Sequence, residues 1–330
     1  MCGIVGIIHK NGQSVEYPVL SRMAETLNHR GPDVEGHLIE GPIGFYHKRV
    51  SIIDLATGRQ PMTVGHLTIV FNGEIYNYIE LRQELKKAGH TFQPSSDTEV
   101  ILKGYEAFGL DVIDKLNGMF AFLLYDRMKN RLVAARDHFG IKPLYYTFNA
   151  GNLMFASEIK ALLKHPMVAA VPDYDAIQEY LTFQYVLDYD TFYCGINKLP
   201  PGHYLDVDLS TMRSKLVKYW KLDFTEDTHQ TEEYFTDTFR RLLEDAVNIQ
   251  LRSDVPVGAH LSGGMDSSVV AILASSKYSG KFKTFTGAFR EGSRFDETCY
   301  ARAAAEACKA EIHEIYPSEA EFIELLPALI

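Results

Sequence analysis

The second residue of the chain is a cysteine with the chemistry of a nucleophile. Cys2 follows the initiator Met1 directly, so removal of that methionine would make Cys2 the first residue. A chain-terminal cysteine carries a thiol and an α-amino group whose ordinary pKa is about 7.7–8.0. Part of that amine is unprotonated at neutral pH and can act as general base. Cys2 is therefore a candidate nucleophile that needs no histidine. The alternative is a small buried hydrophobic residue at the start of a strand.

A glycine-rich turn in the last third of the chain has the composition of a phosphate-binding loop. Ser262-Gly263-Gly264-Met265-Asp266-Ser267-Ser268 lies between a predicted strand, 256–261, and a predicted helix, 267–276. Glycines let backbone N–H groups approach a phosphate, and a helix N-terminus favours its negative charge. No Gly-Lys-Ser/Thr follows, so the loop is not a Walker A motif. The alternative is an ordinary loop whose Ser267 or Ser268 caps the helix.

The elements that must position these residues differ between the two parts of the chain. The first part alternates short apolar strands with helical segments, without regular strand–helix–strand units, and this pattern predicts a layered α+β fold. From Thr231 onward a long amphipathic helix is followed by strand, turn, helix, strand and helix, which predicts the start of a doubly wound parallel sheet. The sequence predicts domains at 1–205 and 231–330, joined by a polar linker at 206–230.

Composition excludes several classes of protein. The 330 residues are 46% hydrophobic and 12% aromatic, which indicates a globular chain and excludes a disordered one. A formal charge of −10 disfavours nucleic acid and anionic membranes as partners. No apolar run approaches the length of a membrane span, and no basic segment precedes the apolar N-terminus. Four cysteines without CxxC spacing are typical of a reduced, cytoplasmic protein.

Seven segments of the first half occur in the order that is characteristic of class II glutamine amidotransferases. The resemblance spans about the first 200 residues and implies the αββα sandwich of N-terminal-nucleophile enzymes. The segments are Met1-Cys2-Gly3-Ile4-Val5-Gly6, His29-Arg30-Gly31-Pro32-Asp33, Arg49-Val50-Ser51-Ile52, Gln60-Pro61, Phe71-Asn72-Gly73-Glu74-Ile75-Tyr76-Asn77, Ser96-Asp97-Thr98-Glu99 and Arg136-Asp137-His138-Phe139-Gly140-Ile141-Lys142-Pro143-Leu144-Tyr145-Tyr146.

The resemblance implies a glutamine site in this half, and the residue types suit that substrate. Arg49 can clamp the α-carboxylate, and Glu74 with Asp97 offers negative charge to the α-ammonium. The Asn72 amide and the Gly73 N–H can donate to the oxyanion of a tetrahedral intermediate. Ile53 belongs to the same implied site. The alternatives are a surface salt bridge for Arg49 and a hairpin turn for Asn72-Gly73.

The glycine-rich turn resembles the SGGxDS loop of ATP pyrophosphatases, the PP-loop family. The resemblance implies that the loop binds the pyrophosphate of ATP and its Mg²⁺, with Asp266 as the candidate metal contact, and that the adenine lies between Leu261 and the strand 284–287. The implied ATP-binding residues are Leu261, Ser262, Gly263, Gly264, Asp266, Ser267, Ser268 and Gly287.

Together the two halves resemble the glutamine-hydrolysing asparagine synthetase family, and Phe295-Asp296-Glu297 agrees with that arrangement. The resemblance implies that glutamine, aspartate and ATP are substrates. The sequence leaves open whether the protein forms a homodimer. The alternatives are amidation of another carboxylate, a glutaminase alone, and a non-catalytic glutamine or nucleotide sensor, although a sensor needs no nucleophile. The family's second half extends well beyond the loop, so we expect a C-terminally truncated chain with glutaminase but no adenylation activity.

Overall fold

The computed structural model describes residues 1–93, 96–289, 292 and 296–329. These residues fall into two compact units, Met1–Phe224 and Thr225–Ile330, and each unit is described by itself. Phe295 of the predicted Phe295-Asp296-Glu297 segment lies outside the described residues.

The described residues of the first unit form twelve strands. They are β1 (Gly3–Ile8), β2 (Val34–Glu40), β3 (Ile43–Arg49), β4 (Met62–Val64), β5 (Leu67–Ile75), β6 (Gly118–Asp126), β7 (Arg131–Arg136), β8 (Tyr145–Asn149), β9 (Asn152–Ala156), β10 (Ile196–Lys198), β11 (His203–Asp208) and β12 (Arg213–Lys218). The helices are α1 (Tyr17–Glu25), α2 (Tyr78–Lys87), α3 (Asp97–Phe108), α4 (Val112–Lys115), α5 (Ile159–Leu162) and α6 (Tyr174–Phe183), with a 3-10 turn at Gly109–Asp111.

The strands form two six-stranded antiparallel sheets. The first sheet has the order β10-β8-β9-β1-β3-β2, and the second has the order β12-β11-β7-β6-β5-β4. Apolar side chains from the inner faces of both sheets, such as Phe45 of β3 and Leu123 of β6, form one buried cluster. The two sheets therefore pack face to face, as in a sandwich.

Helices cover the outer face of each sheet. α1 and α5 contribute Leu20 and Leu162 to a cluster with Val5 of the first sheet. α2 and α3 bury Leu85 and Ile101 against the second sheet. The order of layers is helix, sheet, sheet, helix, which confirms the predicted αββα sandwich.

The prediction of a linker across 206–230 is wrong for its first part. β11 pairs with β7 on one side and with β12 on the other, so residues 203–218 belong to the second sheet. Leu205 and Val207 are buried between the sheets while Asp206 faces outward. The segment looks polar because only alternate residues of such a strand contact the core.

The second unit begins with α7 (Glu232–Gln250) and contains a parallel three-stranded sheet. Its order is β13 (Gly258–His260), β14 (Lys283–Gly287) and β15 (Glu311–Ile315). The helices that follow the strands are α8 (Met265–Lys277), α9 (Thr298–Ala307) and α10 (Glu319–Leu329). Val247, Ala271 and Ala301, one from each of α7, α8 and α9, share an apolar cluster beside the sheet. The parallel α/β pattern predicted for this half is present.

Among the described residues, no helix combines the length and apolar content that crossing a bilayer requires.

Candidate active site

The predicted nucleophile lies where the first strand enters the sandwich. Cys2 immediately precedes β1, which pairs with β3, so the cysteine reaches the end of β3 and its Sγ accepts a hydrogen bond from the Val50 N–H at 3.4 Å. The Cys2 carbonyl accepts from Arg30 Nε at 3.0 Å, and Glu158 accepts from the same guanidinium. Burial raises the pKa of the Cys2 thiol, so nearby cations are needed to favour the thiolate.

Arg49 is buried and does not form the surface salt bridge considered above. It ends β3, and only 5% of its surface is exposed. Its Nη2 donates to the carbonyls of Ile53 and Asp54 at 2.9 and 2.8 Å, whereas its buried Nη1 has no partner among the described residues. Gly58 makes room for this arrangement, because a Cβ there would lie 2.5 Å from Nη2. The guanidinium is therefore fixed on one side and free to donate on the other.

Asn72 and Gly73 lie inside a strand, so the hairpin-turn alternative is wrong. β5 continues to Ile75 and pairs with β6, with Gly73 opposite Phe120. A Cβ on Gly73 would lie 2.1 Å from the Met119 carbonyl oxygen, so only glycine fits at this position. The Asn72 side chain is fully buried, and both its amide nitrogen and its oxygen lack partners among the described residues. An unsatisfied buried amide is costly and indicates a ligand-binding role.

The Gly73 N–H faces the same edge of β5 as two N–H groups that side chains already bind. The Phe71 N–H donates to Gln60 Oε1 at 2.6 Å, and the Ile75 N–H donates to Asp97 Oδ2 at 2.9 Å. Phe120 bonds to Asp137 through its own N–H and carbonyl, so it turns those groups away from Gly73. The Gly73 N–H therefore points away from β6, toward the cavity that this residue lines.

Two buried carboxyl groups, those of Glu74 and Asp97, lie beside this edge of β5. Burial, and next the nearby Asp97, raise the pKa of Glu74, while burial raises the pKa of Asp97 against the hydrogen bonds that it accepts. Both shifts have the cause expected for carboxyl groups that lack water and a bound cation. A positively charged ligand group placed here would relieve the repulsion between them.

These side chains surround one small cavity. Cys2, Arg49, Ile53, Gly73, Glu74 and Asp97 line it, and Asn72 lies directly before Gly73 in β5. The remaining lining residues, to which the sequence analysis gave no role, are Val50, Ile52, Gly58, Gln60, Phe71, Ser96 and Thr98. Of these, Gln60 could be found only through its place in the Gln60-Pro61 motif, because its bond to Phe71 is visible only in the folded chain.

His47 connects the two sheets behind the cavity. Its Nε2 donates to the Phe71 carbonyl at 3.0 Å, which joins β3 of the first sheet to β5 of the second. Burial lowers the pKa of His47 to about 4, so the ring is neutral at physiological pH. This geometry gives His47 a structural role.

Replacing Glu74 by Gln is expected to stabilise the protein at alkaline pH. The folded-state pKa of Glu74 is raised to about 9, so its contribution to stability is present at low pH and is lost as the pH rises through that value. Glutamine carries no charge to bury beside Asp97. We expect the free energy of unfolding in urea to rise by on the order of 1 kcal/mol at pH 9 and to change little at pH 5.

Glu35→Gln is the control for this measurement. Glu35 is exposed, and its ion pair with Lys48 lowers its pKa, so the same substitution there should not stabilise the protein. A Glu74→Gln protein that is no more stable than wild type at pH 9 would contradict the account of the two carboxyl groups.

The glycine-rich loop of the second unit connects β13 to α8. The helix begins at Met265, two residues earlier than predicted, and this places Asp266 in its first turn. Ser262 and Ser267 close the loop: their hydroxyls lie 3.0 Å apart, and Ser267 Oγ also accepts from the Ser262 N–H. Gly263 has a φ of +89° and packs against α9, where a Cβ would lie 2.8 Å from the Ala301 nitrogen.

The start of α8 is open to an anion. Gly264 is the N-cap residue and no side chain caps the helix, so the alternative in which Ser267 or Ser268 caps it is not observed. Uncapped N–H groups at a helix N-terminus are a favourable place for phosphate. Leu261 is buried next to the loop and donates its N–H to the Phe285 carbonyl of β14, whose last residue is Gly287. The loop and Gly287 thus share the carboxyl edge of the parallel sheet.

The described residues place no set of metal ligands around this loop. In the described part of the chain, no group of three His, Cys, Asp or Glu side chains is placed to hold a metal ion. Asp266 is exposed and stands alone in the first turn of α8. A cation at Asp266 would therefore depend on ligands from a bound molecule.

Comparison with known protein families supports the domain type predicted for each half of the chain. The model of the glutamine amidotransferase domain matches residues 1–220, and that of asparagine synthase matches residues 238–330. Asparagine synthetase (glutamine-hydrolyzing) 1 of Bacillus subtilis is 38% identical over 339 residues, which cover 100% of this chain and 52% of that protein. Putative asparagine synthetase (glutamine-hydrolyzing) 2 of Methanocaldococcus jannaschii is 35% identical, with 99% of this chain and 67% of that protein covered. The chain thus spans about half the length of the B. subtilis relative.

A solved structure, the glutamine phosphoribosylpyrophosphate amidotransferase of B. subtilis, superposes with a TM-score of 0.48 and 17% identity, covering 98% of this chain and 70% of that one. A structural similarity at that level does not identify the family of this chain. The family assignment follows from the domain matches and from the similarity to the two relatives. The amidotransferase match alone covers most of the chain. The chain belongs to the glutamine-hydrolysing asparagine synthetase family, in which a class II glutamine amidotransferase domain precedes an asparagine synthase domain.

Proposed function

We propose that this protein hydrolyses glutamine at Cys2 and uses the ammonia to convert aspartate into asparagine in an ATP-dependent reaction. The observation that carries the proposal is the cavity that Cys2 lines together with Arg49 and the buried carboxyl groups of Glu74 and Asp97. One nitrogen of the Arg49 guanidinium, Nη1, has no hydrogen-bond partner among the described residues. These groups complement the thioester chemistry and the zwitterionic end of one amino-acid substrate.

Glutamine fits the cavity by charge. Its α-carboxylate binds the free Nη1 of Arg49, an arrangement that guanidinium geometry favours. Its α-ammonium binds between Glu74 and Asp97, where a cation offsets the burial that raises the pKa of both groups and the nearby Asp97 charge that further raises that of Glu74. The side-chain amide then extends toward Cys2. Ile53 contributes through its carbonyl, which holds Arg49 in place.

Hydrolysis follows from the groups at the reacting end. With Met1 removed, the α-amine of Cys2 accepts the thiol proton, and the thiolate attacks the amide carbon. The unpartnered Nδ2 of Asn72 and the Gly73 N–H donate to the oxyanion. The amine returns the proton to the leaving nitrogen, ammonia departs, and water cleaves the γ-glutamyl thioester to glutamate. No histidine takes part.

The second unit supplies the nucleotide site. The pyrophosphate of ATP binds the uncapped start of α8 and the residues Ser262, Gly263, Gly264, Ser267 and Ser268. Leu261 and Gly287 flank the adenine. Mg²⁺, held by the ATP phosphates and Asp266, would neutralise charge on the leaving pyrophosphate. Aspartate is adenylated to β-aspartyl-AMP, and ammonia displaces AMP.

The proposal extends to the domain boundary and to the cellular location of the enzyme. We assign the glutaminase to the first unit and place the boundary near residue 224 rather than 205, because β11 and β12 complete the second sheet. The enzyme works in the cytoplasm on small molecules, without nucleic acid or membrane. A homodimer is compatible with this assignment.

An assay of product stoichiometry tests the proposed function. In an enzyme that contains the complete asparagine synthase domain and is supplied with glutamine, ATP and Mg²⁺, we expect aspartate to yield equal amounts of AMP, pyrophosphate and asparagine, while other carboxylic acids give background pyrophosphate. Asp266→Asn, which alters only the loop, should lower pyrophosphate release and leave glutamate release intact. Pyrophosphate release with another acid, and none with aspartate, would contradict the acceptor assignment. Absence of glutamate release would contradict the whole proposal.

A further inference from the structure

A tightly bonded loop next to the cavity has no role in the mechanism above. Residues 137–144 join β7 to β8, and Asp137 at the start of this loop is 1% exposed. The Asp137 carboxylate accepts hydrogen bonds of 2.9–3.1 Å from four backbone N–H groups, those of Phe120, Phe139, Ile141 and Lys142. One carboxylate thus binds Lys142 to Phe120, the residue that faces Gly73 across the sheet.

Arg136 fixes the same loop from its other side. Its guanidinium donates to the carbonyls of Lys142, Gly140 and Leu199, each at 2.7 Å. These charge-assisted bonds hold the backbone at Lys142 between two buried side chains. The position of Lys142 is therefore specified by the fold rather than left to a mobile loop.

The Lys142 side chain is buried. It is only 5% exposed, yet in the part of the chain that the structure describes its ammonium forms no hydrogen bond and no ion pair. Its charge interacts with Glu74 first and with Cys2 next. Lysine is almost never buried unless it is paired, because its ammonium loses hydration. Its interactions with Glu74 and Cys2 offset part of this cost, although burial still lowers the pKa of Lys142.

We propose that Lys142 is a positioning residue of the glutamine site, whose ammonium favours the charged forms of the Glu74 carboxylate and the Cys2 sulfur over their protonated forms. This inference rests on the proposed glutaminase function. Lys142 does not touch glutamine in this scheme, and acts through the two groups that do.

The other charges that face these two groups fix the direction of the effect. Glu74 faces Asp97 and Tyr76, and it faces the cations Lys142, Arg49 and the α-amine of Met1, which begins the chain in this structure. Burial and Asp97 favour the protonated acid, which no longer attracts an α-ammonium, so loss of Lys142 weakens glutamine binding. For Cys2, burial and Glu74 raise the pKa of the thiol, while Arg49 and the amine lower it. Loss of Lys142 therefore also lowers the fraction of Cys2 that is present as thiolate.

Three variants separate charge from structure. Lys142→Met removes the cation and keeps the chain length, and Lys142→Arg keeps the cation. Lys198→Met is the matched control, because Lys198 is a half-buried lysine of β10 whose charge faces Arg136, Asp188 and Asp190 rather than Cys2. The readouts are iodoacetamide alkylation of Cys2 against pH, followed by mass spectrometry of the N-terminal peptide, and the KM and kcat for glutamine.

We expect Lys142→Met to move the midpoint of Cys2 alkylation upward by about one pH unit and to raise KM for glutamine about tenfold. Lys142→Arg and Lys198→Met should each stay within about threefold of wild type, since one pKa unit corresponds to a tenfold change. Equal alkylation profiles for Lys142→Met and Lys198→Met would overturn the inference. Equal losses in Lys142→Met and Lys142→Arg would also overturn it, because they indicate a packing role. A shifted alkylation profile in a protein that releases no glutamate would support Lys142 while refuting the proposed function.

Discussion

Cys2→Ala is expected to reduce glutamate release from glutamine to background. The substitution removes the only proposed nucleophile and leaves Arg49, Glu74 and Asp97 in place, so glutamine still binds but no thioester forms. In an enzyme that contains the complete asparagine synthase domain, synthesis of asparagine from added ammonium salts should continue, because the nucleotide site receives ammonia however it arises. Measuring both activities in the same preparation distinguishes a chemical defect from a folding defect.

Cys194→Ala is the matched control for this variant. Cys194 is exposed and belongs to the same unit, but it does not line the cavity, so its loss should leave both activities unchanged. Glutamate release by Cys2→Ala at the wild-type rate would show that the nucleophile lies elsewhere.

Blocking the α-amine of Cys2 is expected to have the second-largest effect. A peptide bond to a preceding residue converts the amine into an amide, which removes the general base but leaves the thiol. Loss of a positioned base typically costs on the order of 10²–10⁴ in rate. We therefore expect chains that retain Met1 to lose most of their glutaminase activity.

A cleavable N-terminal tag joined directly to Cys2 makes this measurable. Site-specific proteolysis that leaves Cys2 as the first residue should restore activity in proportion to the cleaved fraction determined by mass spectrometry. The same tag on Cys2→Ala should give no recovery after cleavage. Full activity before cleavage would exclude the amine as the base.

The sequence indicated the glutamine site through residue types that keep their chemistry in any fold. Cys2 could be singled out because its position next to Met1 is visible in the sequence. Arg49, Glu74 and Asp97 could be placed in one site only through the family resemblance, because they are far apart along the chain. The structure brings them to one cavity, while their individual roles stay predictions.

The features that sequence analysis missed depend on backbone direction. Asn72-Gly73 has the composition of a turn, yet the close approach of Met119 makes glycine a requirement of the strand itself. The contribution of Gln60 is a hydrogen bond to the Phe71 N–H, which no local pattern predicts. The strand β11 was mistaken for a linker because its polar face dominates its composition.

The His47 bond that joins the two sheets has a consequence for protein engineering. The nucleophile and the guanidinium belong to the first sheet, and the Asn72–Glu74 segment belongs to the second. The distance between the attacking sulfur and the oxyanion donors is therefore set by the thickness of the apolar layer between the sheets, to which Phe45 and Leu123 contribute. Transplanting the loops of this site onto another scaffold would not transfer its activity, whereas a scaffold with the same spacing between sheets could accept it.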